Sequence, residues 1–547
     1  MDRYNEWINS NFIDIEDKEI LKNMSKEEIE DAFYGELSFG TAGIRGIMGL
    51  GTNRINKYTI GKVTAGLANY LNKKFENPSV VIAYDTRNNS RSFAKDTALI
   101  LNYYGIKTYI FKEVTSTPEL AFSIKYLNCC SGIVITSSHN AKIYNGYKVY
   151  NQLGSQIVAP EDELISKEIN DITDLNCLKK APLNSKLFNI VQDDVHEAFI
   201  KENKKVIINH NLLDEYSNKV KITYSSLHGV GLKPATELFG ELNINNYNIV
   251  KEQCTYDGNF TTAPEPNPEY INNFDLAIKY AKENNSDLIL MTDPDADRLG
   301  VMYKNNNNEY SYINGNMLGI IFAKYLLSFK KIKDNSFIVR SIVTSNLIDK
   351  LAKDKNVMIK EVLTGCKNIA YIKQKLNKQG YNYLFGYEES LGYMFDINID
   401  DKNGFSSLVA IIEILCYCKS KNINMEEYID EIYSKYGYNI NESLNYVISK
   451  PNYKEIINNF MNNLREDKVE IKGIKYDYLQ EVGENRTNAI KYTIDDENYF
   501  IIRPSGTEPK IKAYFNINSN DFNECKNILE NIKKYVYDLF DTNLDIK

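Results

Sequence analysis

The stretch PSVVIAYDTRNNSRSFAKDTALILNYYG, Pro78–Gly105, decides the fold class. Val80–Ala83 is a short, mostly β-branched run of the kind a buried strand uses. Asp85–Asn89 is polar and reads as a loop. Ser90 then reads as the N-cap of a helix that Gly105 ends. The following stretch, IKTYIFKEVTSTPELAFSIKYLN, repeats the pattern, with Pro118 near the start of its helix. Strands alternating with helices predict α/β layers on largely parallel sheets.

The same grammar restarts further along. A polar helical stretch near 195–217 precedes NKVKITYSSLHGVGLKPATELFGEL, a new strand, loop and helix. Lys304–Tyr312 reads as a polar hairpin before the helix that opens at Asn314, and NSFIVRSIVTSNLIDKLAKD follows as strand then helix. After about residue 440 the text changes. VEIKGIKYDYL, NAIKYTIDDENYFIIRPSG and IKAYFNI read as antiparallel strands closed by a terminal helix, Ser519–Phe540. Boundaries are expected near 210, 313 and 440, and 547 residues exceed what one core supports.

Composition narrows the function. Hydrophobic residues at 43% and charged residues at 25% are the ordinary globular balance. With a net charge of −8 and no basic stripe, nucleic acid is not an expected partner. An anionic substrate must be gripped by local cations. The first thirty residues are rich in acids and lack an apolar signal core, and no run approaches a membrane span. Eight cysteines without CxxC spacing fit reduced thiols in the cytoplasm.

Five segments carry chemistry. In SDLILMTDPDADRLG an apolar strand delivers Asp293, Asp295 and Asp297, which repel one another unless a hard cation such as Mg²⁺ sits between them. An EF-hand is excluded, because Arg298 and Lys304 occupy the positions of its Gly and Glu. An acidic surface turn is the plainer alternative. In YFIIRPSGTEPKIKAYF the loop Arg503, Ser505, Gly506, Thr507 reads as a phosphate cradle or as a hairpin turn. In YLFGYEESLGY, Glu388, Glu389 and Ser390 suit sugar hydroxyls or a helix cap. FGTAGIRGIMGLGTNRIN surrounds Arg45 with glycines and is neither a P-loop nor a dinucleotide fingerprint. It presents an arginine to an anion or simply packs. Fifth, GIVITSSHNAKIYNGYKVY runs a strand into Ser138 and His139. It lacks G-x-S-x-G, and the chain has only four histidines, so an acyl-transfer triad is not implied. A serine that carries phosphate needs a metal and cations, which the Asp loop, Arg45 and Arg298 could supply. A polar turn is the alternative.

Taken in order, GTAGIRG, TSSHN, DPDADR, GYEES and RPSGTEP resemble the α-D-phosphohexomutase superfamily of phosphoglucomutases and phosphomannomutases. The likeness spans almost the whole chain and is greatest to the bacterial phosphoglucomutase and phosphoglucomutase/phosphopentomutase subgroup. It implies four domains around a central cleft: three similar α/β domains with mixed sheets and a smaller C-terminal α+β domain. Their expected ranges are 1–210 with the phosphoserine loop, 211–312 with the Mg²⁺ loop, 313–440 with the sugar loop and 441–547 with the phosphate loop. It implies Ser138 as phosphoserine, with Asp293, Asp295, Asp297 and a phosphate oxygen on Ser138 as ligands of one Mg²⁺. Arg45 and Arg298 would hold the transferring phosphoryl group. Lys148 and Lys367 would be acid/base candidates beside His139. Glu388 and Ser390 would bind sugar hydroxyls, and Arg503, Ser505, Gly506 and Thr507 the non-reacting phosphate. Glucose 1,6-bisphosphate would be intermediate and activator. Two departures stand out. Ala141 occupies the place of the family's proline after SHN, and TGCK replaces the usual aromatic before Lys367.

The resemblance leaves alternatives within the chemistry, namely mannose or pentose phosphates, or synthesis of the bisphosphate itself. From other classes stand a haloacid-dehalogenase-type phosphatase with an Asp nucleophile and a non-catalytic phosphosugar-binding scaffold.

Overall fold

The computed structural model describes residues 2–40, 43–450, 452–469, 471–481, 486–505 and 509–544. The chain forms two compact units, residues 1–313 with 391–422, and residues 314–390 with 423–547.

The first unit opens with three short helices, α1 (Asp2–Asn9), α2 (Ile15–Lys22) and α3 (Lys26–Phe33). Trp7, Leu21 and Phe33 bury against Tyr58 at the start of α4 (Lys57–Lys74). The Tyr58 hydroxyl donates to Asp17 at 2.6 Å and accepts the Asp14 amide at 2.9 Å, tying the helices to α4.

A six-stranded sheet follows, in the order β1-β5-β4-β2-β3-β6. Its strands are β1 (Ile44–Ile47), β2 (Ser79–Tyr84), β3 (Lys107–Ile110), β4 (Ser131–Ile135), β5 (Tyr144–Asn151) and β6 (Phe188–Ile190). β4, β2, β3 and β6 are parallel, whereas β5 is antiparallel to β4 and β1. Helices α5 (Ser90–Tyr103), α6 (Thr117–Tyr126) and α7 (Glu161–Asn170) complete this layer. The expected N-cap at Ser90 is one residue late. Asn89 caps α5 at φ 66°, and the Ser90 hydroxyl instead donates to buried Asp85 at 2.8 Å.

The second sheet runs β11-β10-β9-β7-β8. It comprises β7 (Ile222–Ser225), β8 (Tyr247–Ile249), β9 (Leu288–Thr292), β10 (Leu299–Lys304) and β11 (Tyr310–Ile313). β8, β7 and β9 are parallel, and the β10–β11 hairpin adds antiparallel strands. α8 (Asp193–Asn203), α9 (His210–Tyr216), α10 (Leu232–Glu241) and α11 (Asp275–Asn284) accompany it. Every residue of β9 is buried, as its apolar run demands. Later in the chain β15 (Gly392–Phe395) and α15 (Gly404–Lys421) rejoin this unit, and α15 packs on α9. Fourteen of its residues are buried, so its apolar composition reflects burial on almost every face.

In the second unit β13 (Met358–Val362), β12 (Ser336–Ser341) and β14 (Asn382–Glu388) pair in parallel beside α12 (Gly315–Phe329), α13 (Leu347–Asp354), α14 (Cys366–Lys378) and α16 (Met425–Tyr436). A five-stranded antiparallel sheet follows, in the order β16-β20-β19-β18-β17. Its strands are β16 (Tyr438–Val447), β17 (Ile474–Asp477), β18 (Ile490–Thr493), β19 (Tyr499–Pro504) and β20 (Lys510–Ser519). α17 (Tyr453–Arg465) and α18 (Phe522–Leu544) cover one face through Phe460, Leu464, Leu529 and Phe540. The terminal helix starts after Ser519 because Ser519 still pairs with Tyr438 as the last residue of β20. Three mixed or parallel α/β layers and one antiparallel C-terminal sheet are the fold class expected from the sequence.

Candidate active site

Ser138 lies on the loop between β4 and β5, which leaves β4 among buried residues at the carboxyl end of parallel β2 and β4. Its backbone is in the left-handed region at φ 50°, unusual for a side chain with a Cβ. The Ser138 amide donates to Thr136 Oγ1 at 2.8 Å, and its Oγ donates to Asp293 Oδ2 at 2.8 Å. His139 Nδ1 lies 3.2 Å from the same Oγ. Burial, then the cations Arg298, Arg45 and Lys402, hold the His139 imidazole well below its ordinary pKa. The ring is therefore neutral at pH 7. Arg45, on β1, donates to Asn140 Oδ1 at 2.8 Å across the neighbouring β5. Gly43 leads into β1 at φ 74°, and a Cβ there would fall 1.8 Å from the Tyr147 carbonyl oxygen, so only glycine lets the arginine strand lie this close.

The loop between β9 and β10 brings Asp293, Asp295 and Asp297 together, all fully buried, with one carboxylate oxygen of each within 4.8 Å of the others. Asp295 accepts from Thr117 at 2.8 Å and from Lys148 at 2.9 Å. Lys148 faces it from β5, in register with Val134. Lys402 Nζ is 3.3 Å from Asp297 Oδ2, and Arg298 Nε lies 3.9 Å from Asp293 and 3.8 Å from Asp297. Among the described residues neither oxygen of Asp297, nor Oδ1 of Asp295, receives a hydrogen bond. Burial, reinforced by the neighbouring carboxylates, pushes Asp293 well above the usual carboxylate range and raises Asp297. Asp295 is also penalised by burial, but the Lys148 ammonium outweighs this and holds it low. Buried, orphaned and mutually repelling oxygens are the donor set of a hard divalent cation, so these residues fit Mg²⁺.

In the second unit, Glu388 ends β14 and its Oε1 accepts the Gly365 amide at 2.6 Å. Lys367 lies one residue into α14 from there, and Ser390 sits half-buried in the turn after β14. Arg503, on β19, donates to Thr364 Oγ1 at 2.6 Å. The Ser505 amide donates to the Lys510 carbonyl and closes the β19–β20 hairpin. Gly506 and Thr507 lie outside the described residues.

The sequence matches the phosphoglucomutase/phosphomannomutase α/β/α domain I over residues 36–176, domain II over 197–307 and domain III over 314–436. The phosphoglucomutase of Staphylococcus haemolyticus is 34% identical over 93% of this chain and 94% of its own. The chain belongs to the phosphoglucomutase/phosphomannomutase family. A phosphomannomutase of Mycoplasmoides pirum is 33% identical over 96% of this chain and 98% of its own. Among solved structures, a phosphoglucomutase/phosphomannomutase family protein of Burkholderia thailandensis shares the fold at TM-score 0.68 and 19% identity, covering 93% of this chain and 97% of its own. The open form of the phosphoglucomutase pp63/parafusin from Paramecium does so at TM-score 0.69 and 20% identity, covering 92% and 95%.

Within this family fold, Ser138, His139, Lys148, Arg45, Arg298 and the three aspartates meet in the first unit. Glu388, Lys367, Ser390, Arg503 and Ser505 belong to the second. Three participants escape the motif reading. Lys402 lies in DDKNG, Thr117 in STPEL and Arg87 in YDTRN, and nothing in these short strings marks a residue as catalytic. The only signal is indirect: each lies in a loop or helix start just after a strand or turn.

Proposed function

We propose that this chain is a phosphoglucomutase that interconverts glucose 1-phosphate and glucose 6-phosphate through phosphorylated Ser138 and glucose 1,6-bisphosphate. One observation carries the reading: Ser138 Oγ lies 2.8 Å from Asp293, inside a buried trio of carboxylates that fits Mg²⁺. Asp293, Asp295 and Asp297 would hold the ion with a phosphate oxygen on Ser138, and it would neutralise charge on the phosphoryl group. A sugar hydroxyl attacks the phosphorus on Ser138, the P–Oγ bond breaks, and the hydroxyl proton leaves to a base. The second half-reaction reverses these events with the other phosphate, so Ser138 regains its phosphoryl group. Arg45 and Arg298 supply fixed positive charge for transfer.

Lys148, neutral His139 and Lys367 are the groups proposed to move protons. Glu388 and Ser390 take the sugar hydroxyls, while Arg503, Ser505, Gly506 and Thr507 take the non-reacting phosphate. The proposed domain ranges are 1–210, 211–312, 313–440 and 441–547. Eight free cysteines accord with a reducing cytoplasm, and no described helix is long and apolar enough to cross a membrane.

A second reading, phosphomannomutase, is favoured by the Mycoplasmoides relative of that name. A substrate panel of glucose, mannose and ribose 1-phosphates, with Mg²⁺ and a trace of the matching bisphosphate, separates the two. Glucose 1-phosphate is expected to give the highest kcat/KM. Intact mass should show one added phosphate that disappears in Ser138→Ala together with turnover. Undiminished isomerisation by that variant would defeat the phosphoserine reading.

A further inference from the structure

Arg87 is one of the most deeply buried charges in the molecule, at 2% exposure, and no step above uses it. Its Nη2 donates to the carbonyls of Ser138 and Asn140, and its Nη1 to those of Ala141 at 3.0 Å and Tyr144 at 3.1 Å. One guanidinium thus gathers four carbonyls from the seven-residue turn that carries Ser138. Asp85, fully buried, fixes the arginine in turn. It accepts the Arg87 amide at 2.9 Å, and its Oδ2 lies 3.2 Å from Nε. Thr136 donates to Asp85 at 2.6 Å while accepting the Ser138 amide, so the same carboxylate reaches the serine from its other side. On its open face the guanidinium is covered by the Phe260 ring, 4.8 Å from the centroid. Phe260 belongs to the 255–263 loop ahead of α11, which sits hard against the Arg87 loop. A Cβ on Gly258 would come within 2.7 Å of the Asn88 amide nitrogen and 2.9 Å of the Thr86 carbonyl.

This brace answers a physical problem. Ser138 is held at φ 50°, a conformation a non-glycine residue keeps only where its surroundings impose it. No proline stiffens the chain between Thr136 and Tyr144. Four carbonyls converging on one planar cation, backed by a carboxylate and roofed by a ring, supply that constraint, and lysine cannot replace the fork because its donors radiate from a single point.

We infer that Arg87 is a positioning residue: clamped between Asp85 and Phe260, it holds the Ser138 turn in the strained conformation that aims Oγ at Asp293. This rests on the proposal that Ser138 carries the phosphoryl group. The test uses the full chain with Mg²⁺, glucose 1-phosphate and a trace of glucose 1,6-bisphosphate. Arg87→Lys keeps the charge but not the fork. It should lower kcat and the rate of phosphate transfer from bisphosphate to Ser138 by about 100-fold, the usual penalty for a small misplacement of a reacting group. KM for glucose 1-phosphate should stay within about twofold, since nothing that binds sugar has moved. Phe260→Leu takes the ring off the cation while keeping an apolar side chain at this buried position, and should lower kcat by about 2- to 30-fold with KM unchanged. A folded Arg87→Lys chain with wild-type kcat, or with its loss confined to KM, overturns the inference. If Arg87→Lys does not fold, Phe260→Leu decides, and wild-type kcat there overturns it. Failure of the wild-type chain to take phosphate at Ser138 would instead defeat the phosphoserine reading, so the two failures are distinct.

Discussion

At the scale of single residues, the site is an electrostatic balance built around the three buried carboxylates. Lys148 on β5 faces Asp295 at 2.9 Å and Lys402, in the loop before α15, faces Asp297 at 3.3 Å, so two ammonium groups far apart in sequence stand against three acids. Lys402 also contributes to keeping His139 neutral. Under the proposed mechanism, replacing Lys402 by Gln removes fixed positive charge beside the carboxylates that would face the transferring phosphoryl group, and kcat should fall by about 100-fold. The concentration of Mg²⁺ giving half-maximal rate should not rise, because the variant removes a cation that competes for Asp297. A Mg²⁺ titration of initial rates checks both, and a raised Mg²⁺ requirement would make Lys402 a support of the metal site and not of transfer. Ser138 and the three aspartates are legible in the sequence because each group is contiguous and chemically odd after an apolar strand. Lys402, Thr117 and Arg87 are not, because their meaning lies in partners 51 to 178 positions away, such as Ser138 for Arg87 and Asp295 for Thr117.

At the scale of elements, α6, α8 and α10 meet at His196. Its Nδ1 is 2.8 Å from Glu119 on α6, and its Nε2 is 2.7 Å from Glu237 on α10. Burial alone would lower the imidazole pKa, but the two carboxylates outweigh it and the net shift is upward. The group therefore binds its proton more tightly folded than unfolded. Its stabilisation is fully present below the unfolded pKa of about 6.5 and is lost as pH rises through the higher folded value. Heating wild type and His196→Gln at about pH 6 and about pH 8.5 should show a drop of a few degrees for wild type, beyond any in the variant. Equal drops in both chains would place the pH dependence elsewhere. Because α6 opens with Thr117, whose amide and hydroxyl both reach Asp295, this junction also steadies the helix end beside the aspartate loop. The three helices are predictable from their strand–helix grammar, whereas their shared histidine is a tertiary fact. The errors at Ser90 and Ser519 have a similar origin. A side chain or strand pairing outside the local window claims a residue that local rules give to the start of a helix.

At the scale of the whole molecule, alternating α/β text followed by antiparallel text is readable from the sequence. The grouping that returns residues 391–422, with α15, to the first unit is not. No composition shift marks it, since buried α15 looks like any core helix. The grouping has a thermodynamic consequence. The first unit contains the only His, Cys, Asp or Glu group suited to a metal among the described residues, and its carboxylates repel one another without a cation. A ligand that binds only the folded site stabilises it by RT ln(1 + [L]/Kd), about 2.7 kcal/mol at a hundredfold excess over Kd. Mg²⁺ should therefore slow amide exchange in elements that open only when the first unit opens: β4, β9 and α15. The sheet from β16 to β20 should exchange at the same rate with and without the ion. In Asp297→Asn, which removes a charge from the trio, the difference in the first unit should shrink. Protection spread equally over both units would mean that they unfold as one cooperative body, and no added protection anywhere would deny that the aspartate trio binds Mg²⁺.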